Sequence, residues 1–581
     1  MYILGLNIGH NATAALLKDG KIIGCLSEER LSRVKNHHGI PFQSISWLLS
    51  ESNISKEDID IILLDDQYSI EKNPLFSRNF LNAYTKKTLF KRIASYAGYH
   101  FPRAFSSYYN IKESFNAGRR EQHQNNLAID ISKELQIPYQ KILVADHHLM
   151  HAFSPIGNLS LTKPWLIFTL DGEGSGLCAT VNILSDGNIK RVSATPKNSS
   201  IGYFYGIATL ILGMKPLEHE FKVMGLAPYA KEHNVDEIYP QIRKLFSIDD
   251  NLVFHTKFSM PFSDHFFFEE MKFVRFDTLA SAVQRLTEDL CSEWIQKAIK
   301  KTGIQNVALS GGVFMNVKAN KIISELNEVQ NIFIMPSCGD ESNAIGACWY
   351  GYKFLCEKQN IQFKPQAIKD LYLGPEYSDE YIENLIKKEK LADKYKISKI
   401  KNINTKIAQL LSHGEIVARC SGKSEWGARA LGNRSILANP SHPDTIRILN
   451  ETIKDRDFWM PFTPSMLDKF EKTYIKNPKK ISAHYMAITF DSTRLARKKI
   501  PAAMHPYDFT VRPQIVTKKD NPDYYEIIEK FSKLTEIGAV LNTSFNLHGE
   551  PNVLTPEDAL HTVDNSALNY LALGNFLLEK R

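Results

Sequence analysis

Two histidines four residues apart, His147 and His151, are the most distinctive chemical signature in this 581-residue chain. On a helix this spacing places both imidazoles on one face, so both can reach one divalent ion. Further along, the apolar run WLIFTL ends in Asp171 and a loop rich in glycine and serine. Such a run is typical of a buried strand that delivers a carboxylate to exposed backbone N–H groups. The pattern predicts a metal that bridges nucleotide phosphates, although a histidine pair at this spacing also occurs in ordinary packing.

A second candidate for nucleotide binding is the turn formed by Ser310, Gly311 and Gly312, between a predicted strand and a predicted helix. Glycines let the backbone approach a nucleotide closely, and the helix N-terminus that follows favours a phosphate group. The next predicted strand leads to Asp340, so a further carboxylate reaches the same edge of a sheet. We therefore expect a nucleotide loop and an acidic group from neighbouring strand ends.

Basic residues lie among glycines, asparagines and serines in the last third of the chain, at Lys423, Arg429, Arg434, Lys454, Arg456 and Arg512. Arginine binds carboxylate and phosphate groups through two parallel hydrogen bonds, so this group predicts a pocket for a small anion. Ordinary surface positions explain Lys454 and Arg456 equally well. They explain Arg429 and Arg434 less well, because these two lie among glycine, alanine and leucine.

The elements that must position these groups include two hairpins of one design, at residues 2–24 and 165–192. Each has an apolar strand, a small polar loop, a second strand and an Asp-Gly turn, which is a strong hairpin signal. Two copies predict a duplicated domain with one phosphate-facing hairpin in each half. This arrangement resembles the actin/Hsp70/sugar-kinase superfamily, which binds ATP between its halves, although two unrelated hairpins would give a similar pattern.

Composition shifts divide the chain into an N-terminal domain at 1–357, a polar linker at 358–375 and an α/β C-terminal domain at 376–581. Within the first domain, the aromatic and basic stretch 67–125 predicts a helical insert. That insert either shapes a substrate entrance or decorates the surface. Hydrophobic periodicity and helix-start signals predict further helices at 278–303, 379–390, 405–413 and 556–563.

Bulk composition limits the classes of function open to this chain. The apolar content of 43% and the charged content of 23% are ordinary for a globular protein with a large core. A net charge of +7 over this length does not predict a nucleic-acid partner and suits small anionic substrates. Seven scattered cysteines without a CxxC motif argue against a disulfide framework or a zinc ribbon. The chain opens as a strand and has no long apolar run, so we expect a cytoplasmic protein without membrane contact.

As a set, the motifs resemble the O-carbamoyltransferases of antibiotic and nodulation-factor pathways, the NodU/CmcH family. The likeness extends nearly from end to end, in the family's order. It is carried by GLNIGHNATAALLKDGKI, SEERLSRVK, DHHLMHA, LDGEGSG, FKVMGLAPY, LSGGVFMN, CGDESNAIGA, EWGARALGNRSIL, IKDRDFWMPFTP, VRPQ and LNTSFNLHGEP. The resemblance implies an α/β protein with a duplicated actin/Hsp70-like (TsaD-like) N-terminal domain. It also implies a YrdC-like α/β C-terminal domain with a positively charged cavity.

The resemblance implies a two-step reaction that uses ATP and carbamoyl phosphate. In the C-terminal domain, carbamate would be adenylated with loss of pyrophosphate. In the N-terminal domain, a hydroxyl of a small natural-product or sugar acceptor would attack the carbamoyl adenylate. A divalent ion, Fe²⁺ first with Mn²⁺ and Mg²⁺ as alternatives, would neutralise charge and polarise the acyl group there. The implied metal ligands are His147, His151, Asp171 and Asp340.

Further site residues carry over from the resemblance by position. The phosphate and acceptor side would be lined by Lys35, Gly172, Gly174, Ser175, Gly202 and Tyr205. Adenosine would be held by Ser310, Gly311, Gly312 and Asn316. In the second domain, carbamoyl phosphate and ATP would be bound by Lys423, Arg429, Arg434, Lys454, Arg512, Asn542 and Ser544.

The acceptor hydroxyl would face His10 or Asn11. As a general base His10 would take its proton, but positioning phosphate or simple packing is equally open to this residue. Relatives commonly have Asp where this chain has Asn11, and an amide cannot act as a base. Relatives also often have Arg where this chain has Met460, so one cation fewer would face carbamoyl phosphate unless Lys454 or Arg456 replaces it.

Other functions stay open on the sequence alone. A tRNA threonylcarbamoyladenosine-type transferase would share the fold and the histidine pair, but it would not explain the second module, the EWGARALGNRS segment or the mild charge. A nucleotide-gated binding protein without catalysis is another alternative. A sugar kinase is possible on the fold alone, but that function would leave the C-terminal domain unexplained. The motifs do not identify the acceptor, and they are compatible with a homodimer.

Overall fold

The computed structural model describes residues 1–66, 96–102, 119–454 and 456–581. The insert expected at 67–125 therefore lies largely outside the described residues, and its role stays a prediction. The described part of the chain forms two compact units. One comprises Met1–Cys25 and Asn36–Ile368, and the other comprises Leu26–Lys35 and Lys369–Arg581.

The short segment Leu26–Lys35 belongs to the second unit, although the expected boundary at 357 assigned it to the first domain. Its two arginines explain this placement. Arg30 donates to the Gly427 carbonyl at 3.0 Å, and Arg33 donates to the Asn552 carbonyl at 2.8 Å. The segment and its terminal lysine therefore group with the C-terminal part of the chain.

Two five-stranded sheets of the first unit share one topology. The strands up to residue 368 are β1 Tyr2–Asn7, β2 Thr13–Lys18, β3 Lys21–Ser27, β4 Ile61–Asp65, β5 Ile142–Ala145, β6 Trp165–Gly174, β7 Leu177–Ser185, β8 Asn188–Pro196, β9 Phe246–Ile248, β10 Phe254–Thr256, β11 Asn306–Ser310 and β12 Asn331–Ile334. The sheet orders are β3-β2-β1-β4-β5 and β8-β7-β6-β11-β12. In each, the first strand pairs antiparallel with the second and parallel with the fourth of the set. The repeat confirms the predicted α/β class with its duplicated actin/Hsp70-like arrangement.

The two Asp-Gly turns close the corresponding hairpins of the two sheets, between β2 and β3 and between β7 and β8. Asp19 and Gly20 have φ values of 47° and 75°, and Asp186 and Gly187 have φ values of 49° and 75°. Positive φ at both central residues is the requirement of a type I′ turn, which matches the twist of the flanking strands. The turn signal read from the sequence is confirmed in both copies.

Helices cover these sheets and include the long helix expected at 278–303. Up to residue 368 the described helices are α1 Glu29–Ser32, α2 Phe42–Glu51, α3 Arg120–Leu135, α4 His147–Phe153, α5 Ile201–Ile211, α6 Glu220–Leu226, α7 Glu232–Arg243, α8 Asp264–Glu270, α9 Phe276–Thr302, α10 Val317–Glu325 and α11 Asn343–Lys358. Close approach places α11 against both β1 and α4. A Cβ on Gly5 would lie 2.0 Å from the Ala344 oxygen, and one on Gly346 would lie 1.9 Å from the Met150 oxygen. These glycines let α11 pack directly against the strand and the histidine helix.

The second unit is built on one eight-stranded mixed sheet of order β13-β22-β21-β14-β15-β20-β16-β19. The strands are β13 Tyr395–Lys399, β14 Val417–Cys420, β15 Arg434–Ala438, β16 Thr463–Leu467, β17 Phe490–Asp491, β18 Thr510–Val511, β19 Gln514–Val516, β20 Ala539–Ser544, β21 Tyr570–Leu573 and β22 Phe576–Lys580. The helices are α12 Asp379–Lys388, α13 Ile403–Ser412, α14 Asp444–Leu449, α15 Glu471–Tyr474, α16 Arg494–Lys499, α17 Pro522–Thr535 and α18 Pro556–Asp564. The helices expected at 379–390, 405–413 and 556–563 are confirmed as α12, α13 and α18, each within a few residues.

Among the helices of the described residues, none has both the length and the apolar character needed to cross a bilayer.

Candidate functional site

Four side chains from three elements of the first unit converge on one point. His147 and His151 lie on α4, Asp171 lies in β6, and Asp340 opens the short turn Asp340–Ser342. Each offers one ligand atom, and these four atoms lie within 4.8 Å of one another. The Nε2 atom of His151 is 3.1 Å from Asp171 and 3.6 Å from Asp340. The structure thus brings together all four residues that the sequence singled out as metal ligands.

Because α4 has only seven residues, the contacts at its N-terminus orient both His147 and His151. Asp146 caps it by accepting from the Leu149 N–H at 2.8 Å, and Arg191 on β8 holds the Asp146 carboxylate at 2.6 Å. Ser175, with φ of 55°, accepts from the His147 N–H at 2.8 Å. Ser175, which we expected on the phosphate side, therefore supports the histidine helix directly.

Two glycines allow the close packing around the cluster. A Cβ on Gly174 would lie 2.0 Å from the His147 ring, so any larger residue would displace that imidazole. Gly311 has φ of 100°, and a Cβ there would lie 2.4 Å from the Leu170 oxygen next to Asp171. Both glycines serve the metal cluster by close approach, in addition to any contact with a nucleotide.

The pKa values of the two buried carboxylates in this cluster are shifted in opposite directions. Burial and the charge of Asp171 raise the pKa of Asp340 to about 6. Burial alone would raise the pKa of Asp171, but the adjacent imidazoles of His147 and His151 outweigh it and hold that pKa well below its usual range. Burial likewise opposes protonation of His147, yet the carboxylates around it raise its pKa well above the ordinary value.

The cluster fits a divalent cation by its chemistry. Two imidazoles and two carboxylates form a donor set that suits a divalent metal ion. The buried Nε2 of His147 makes no hydrogen bond within the described residues, although it points at Asp171 and Asp340 at 3.8 and 3.6 Å. Buried carboxylates this close repel each other. A ligand atom without a partner in front of two repelling carboxylates is an arrangement that a cation completes.

His10 lies in a loop whose shape is set by the buried side chain of Asn7. The Asn7 amide donates to the His10 and Asn11 carbonyls at 2.7 and 3.2 Å, and its oxygen accepts from the Gly9 N–H at 3.1 Å. The Nε2 atom of His10 is buried and has no hydrogen-bond partner among the described residues. Burial and the neighbouring His38 lower the pKa of His10 to about 4. The imidazole is therefore neutral at physiological pH, and Asn11 adopts a left-handed φ of 57° beside it.

The turn expected to bind adenosine also braces the metal cluster. The Gly312 N–H donates to Asp171 at 3.3 Å, and the Ser310 hydroxyl lies 3.4 Å from Nδ1 of His151. Gly202, at the start of α5, approaches the backbone of Asp171 and Gly172, where an added Cβ would come within 2.9 Å. The glycine loop, this turn and the start of α5 therefore meet at Asp171.

Two further residues that the sequence placed at the ligand site, Tyr205 and Asn316, are linked by a third residue that the sequence did not suggest. Tyr205 donates to Gln284 Oε1 at 3.0 Å, and the Asn316 amide donates to the same oxygen at 2.8 Å. Gln284 in turn donates to Glu288 at 2.7 Å. Tyr205 and Asn316 thus belong to one polar network on the α9 side of the first unit.

Sequence reasoning missed the residues that support the metal ligands from behind. Asp65, at the end of β4, accepts from Nδ1 of His147 at 3.1 Å, and Asn343 on α11 donates to the same carboxylate at 3.2 Å. Asp66 accepts from Ser175 and, at 3.1 Å, from Arg120 through the same oxygen, Oδ1. The available signal was the motif IILLDD, where a buried strand ends in two carboxylates.

Cations of the second unit repel one another in a half-buried cluster. Burial, Arg429 and Arg456 lower the pKa of Arg512 well below its usual range, and burial and Arg429 lower the pKa of Arg456 to about 10. Burial, Arg456 and Lys35 lower the pKa of Lys454 well below its ordinary value. Lys35 therefore adds its charge to this cluster of the second unit, and its expected role on the phosphate and acceptor side stays a prediction.

The other cations predicted for this pocket differ in their surroundings. Arg434 is 1% exposed, and its guanidinium donates to backbone carbonyls, including those of Leu554 at 2.8 Å and Gly422 at 3.0 Å. This placement favours a structural role for Arg434. Lys423 lies on the surface, and its carbonyl accepts from Asn433 at 2.8 Å.

Asn542 and Ser544 lie on β20, next to the cation cluster. The Lys454 ammonium donates to the Ser544 carbonyl at 2.5 Å and to Asn546 Oδ1 at 3.0 Å. Asn542 donates to the Ala430 carbonyl at 3.0 Å, and its own buried oxygen has no hydrogen-bond partner among the described residues. The Nε of Arg512 is likewise buried without one. Two polar atoms in this region are therefore available for a ligand.

Family models match both parts of the chain. A model described as the carbamoyltransferase N-terminus matches residues 2–349, and one described as the carbamoyltransferase C-terminus matches residues 408–580. The metal cluster and His10 fall within the first match, and the cations from Lys423 to Arg512 fall within the second.

Similar proteins span almost the whole chain. An uncharacterized protein of Methanocaldococcus jannaschii is 30% identical over 97% of this chain and 96% of its own length. Nodulation protein NolNO of Sinorhizobium fredii is 27% identical over 98% of this chain and 79% of its own length. Nodulation protein NolO of Bradyrhizobium diazoefficiens is 28% identical over 75% of this chain and 79% of its own length.

Proposed function

Because this chain belongs to the carbamoyltransferase family, we propose that it is an ATP-dependent O-carbamoyltransferase. Water hydrolyses carbamoyl phosphate to carbamate and inorganic phosphate, and the carbamate oxygen then attacks the α-phosphate of ATP and displaces pyrophosphate to form carbamoyl adenylate. A hydroxyl of a small natural-product or sugar acceptor then attacks the carbamoyl carbon and releases AMP. The products are the O-carbamoylated acceptor, AMP, pyrophosphate and phosphate, so the atoms balance.

The observation that carries this proposal is the convergence of His147, His151, Asp171 and Asp340 within 4.8 Å. These residues would hold a divalent ion, which we propose is Fe²⁺, and the ion would neutralise phosphate charge and act as a Lewis acid. The chain's own residues would do the remaining work. The glycine-rich end of β6 at Gly172–Gly174 and the Ser310–Gly312 turn would bring backbone N–H groups to the nucleotide phosphate.

His10 would accept the proton of the attacking hydroxyl. Its imidazole is neutral at physiological pH because burial and His38 lower its pKa to about 4, and its buried Nε2 has no hydrogen-bond partner among the described residues. A neutral imidazole with an available nitrogen can act as a general base. The amide of Asn11 cannot, so Asn11 would orient the acceptor.

Adenylation would occupy the second unit, where buried like charges favour an anionic ligand. Burial and Arg429 lower the pKa of Arg456, and burial, Arg429 and Arg456 lower that of Arg512, so binding of a phosphate group would relieve this repulsion. The open donor on Arg512 and the open acceptor on Asn542 would bind the phosphate and the carbamoyl amide. Lys35 would add its charge from the N-terminal segment of the same unit.

The test measures pyrophosphate release from ATP with and without carbamoyl phosphate, anaerobically and with Fe²⁺ supplied. In parallel, radiolabelled carbamoyl phosphate is offered with a panel of sugar and aminoglycoside hydroxyls. We expect carbamoyl-phosphate-dependent pyrophosphate release by the wild type, and loss of labelled product in His147→Ala. The matched control is His255→Ala, which removes an exposed histidine far from the cluster in sequence. Absence of carbamoyl-phosphate-dependent release in the wild type would refute the adenylation step.

A further inference from the structure

The carboxylate behind His147 has no assigned task. We propose that Asp65 is a positioning residue that selects the tautomer and fixes the orientation of the His147 ring. This inference rests on the proposed metal site and identifies what holds one of its ligands. The carboxylate oxygen of Asp65 lies 3.1 Å from Nδ1 of His147, and both side chains are fully buried.

The two nitrogens of the His147 ring face opposite surroundings. Nδ1 faces Asp65, whereas Nε2 faces Asp171 and Asp340 at 3.8 and 3.6 Å. A carboxylate accepts a hydrogen bond, so the proton of the neutral ring lies on Nδ1 and the lone pair of Nε2 points into the cluster. Asp65 thereby makes Nε2 the ligand atom and increases its basicity.

Asp65 is itself held in place from a second direction. Asn343, at the start of α11, donates to the same Asp65 oxygen at 3.2 Å, and its amide nitrogen is also 3.2 Å from Nδ1 of His147. The adjacent carboxylate, Asp66, points elsewhere, to Arg120 and Ser175. The two consecutive aspartates therefore support different parts of His147. Asp65 binds its ring, and Asp66 reaches its backbone N–H through Ser175.

The second histidine of the cluster has weaker support. Nδ1 of His151 lies 3.4 Å from the hydroxyls of both Ser310 and Ser342. A neutral hydroxyl at that distance orients an imidazole less firmly than a buried carboxylate at 3.1 Å. The two histidines are therefore unequal, with His147 the ligand held by a carboxylate.

The test compares Asp65→Asn with Asp65→Glu and with a matched control, Asp277→Asn, in the intact protein. Asp277 is also a buried carboxylate of the first unit, but its partners are Arg275 and Thr278. Affinity for Co²⁺ is measured from its visible absorption bands in competition with a chelator. The ring tautomer of His147 is measured by nitrogen-15 NMR on labelled histidine in the metal-free protein at alkaline pH, above the raised pKa of this ring, with His147→Gln to assign the signal.

We expect Asp65→Asn to weaken Co²⁺ binding about 10- to 100-fold and to lose the single Nδ1–H tautomer of His147. Asp65→Glu is expected to restore part of the affinity, and Asp277→Asn is expected to bind Co²⁺ as the wild type does. Wild-type affinity and an unchanged tautomer in Asp65→Asn would overturn the inference while leaving the proposed metal site intact. If the wild type binds neither Co²⁺ nor Fe²⁺, the proposed metal is refuted instead, and the tautomer measurement alone then decides the role of Asp65.

Discussion

The two units of this protein gather charge of opposite sign. In the first, the carboxylates of Asp171 and Asp340 are buried together, and that proximity raises the pKa of Asp340 to about 6. In the second, burial and Arg429 lower the pKa of Arg456 to about 10. Bringing like charges together in a partly buried environment lowers the free energy of unfolding of both units. Such arrangements are common where a ligand of the opposite charge binds.

The supports of the two centres differ in kind, and the difference is instructive. Around the metal cluster, side chains supply the support, because an imidazole must be fixed in one tautomer and Asp65 can do this. In the second unit, main-chain carbonyls supply it, as for Arg434 at Leu554 and Lys454 at Ser544. A carbonyl satisfies a donor without cancelling its charge, so the positive potential is kept for an incoming anion.

The largest effect should come from removing a carboxylate of the metal cluster. In Asp171→Asn, carbamoyl transfer should fall by about 10²- to 10³-fold, because charge that develops in the reaction loses its stabilisation. Pyrophosphate release should change far less, since the second unit is untouched. Both rates are measured in one reaction mixture. Equal loss of the two would contradict the assignment of separate steps to the two units.

A cation of the second unit should show the reverse pattern. Arg512→Ala should raise the KM for carbamoyl phosphate about 30-fold, corresponding to about 2 kcal/mol for a lost charge-assisted contact. The same variant, without ligand, should melt slightly higher than the wild type, because burial, Arg429 and Arg456 already disfavour that charge. Calorimetry gives the melting temperature, and initial rates give the KM for carbamoyl phosphate.

The exposed Arg494→Ala is the control for this pair of measurements, and we expect it to change neither quantity. If Arg512→Ala lowered the melting temperature and left KM unchanged, Arg512 would be a structural residue rather than a ligand-binding one.

The dependence of the carbamoyl-transfer rate on pH tests His10 as the base, and the expected effect is smaller. Burial and His38 lower the pKa of His10 to about 4, so His10 is a neutral base above that pH and loses activity only as the pH falls through it. With metal saturating, transfer at pH 5.5 should stay within about twofold of its value at pH 7. A base with the ordinary pKa of about 6.5 would lose about tenfold over the same interval. Initial rates of transfer against pH distinguish these outcomes, and a tenfold loss would exclude His10 as the base.

The smallest effect concerns the segment that the second unit takes from the N-terminal part of the chain. Arg33 donates to the Asn552 carbonyl at 2.8 Å and lies 3.5 Å from Asp558. Arg33→Ala should lower the free energy of unfolding by about 1.5 kcal/mol, measured in urea. Arg447→Ala, which breaks an exposed pair with Glu451, should cost less than about 0.5 kcal/mol. Equal costs would mean that the segment is not held by Arg33.

Local sequence patterns predicted much of the fold because they depend on neighbouring residues only. The Asp-Gly pairs at 19–20 and 186–187 form hairpin turns since both residues adopt positive φ. The amphipathic stretch at 278–303 forms Phe276–Thr302, with Gly303 at φ of 74° ending the helix. The His147 and His151 spacing placed both rings on one face for the same reason.

Contacts between distant residues account for what the sequence did not reveal. No spacing rule connects Asp65 to His147 or Asn343, because the three come from a strand and two helices that meet only after folding. Arg434 looked like an anion-binding residue from its neighbours, but its donors go to carbonyls from loops far away in the chain. Burial decides such cases, and burial is a property of the packed structure.

Sequence alone thus determined the repeated α/β design, the residue types of the candidate metal site and the surplus of cations near the C-terminus, because periodicity, turn chemistry and residue type are local properties. Tertiary structure alone decided that Lys35 groups with Lys454 and that Asp65 faces the ring of His147. The physical reason is that electrostatic and hydrogen-bond energies depend on distance and burial. Both are set by packing between segments that the linear order keeps far apart.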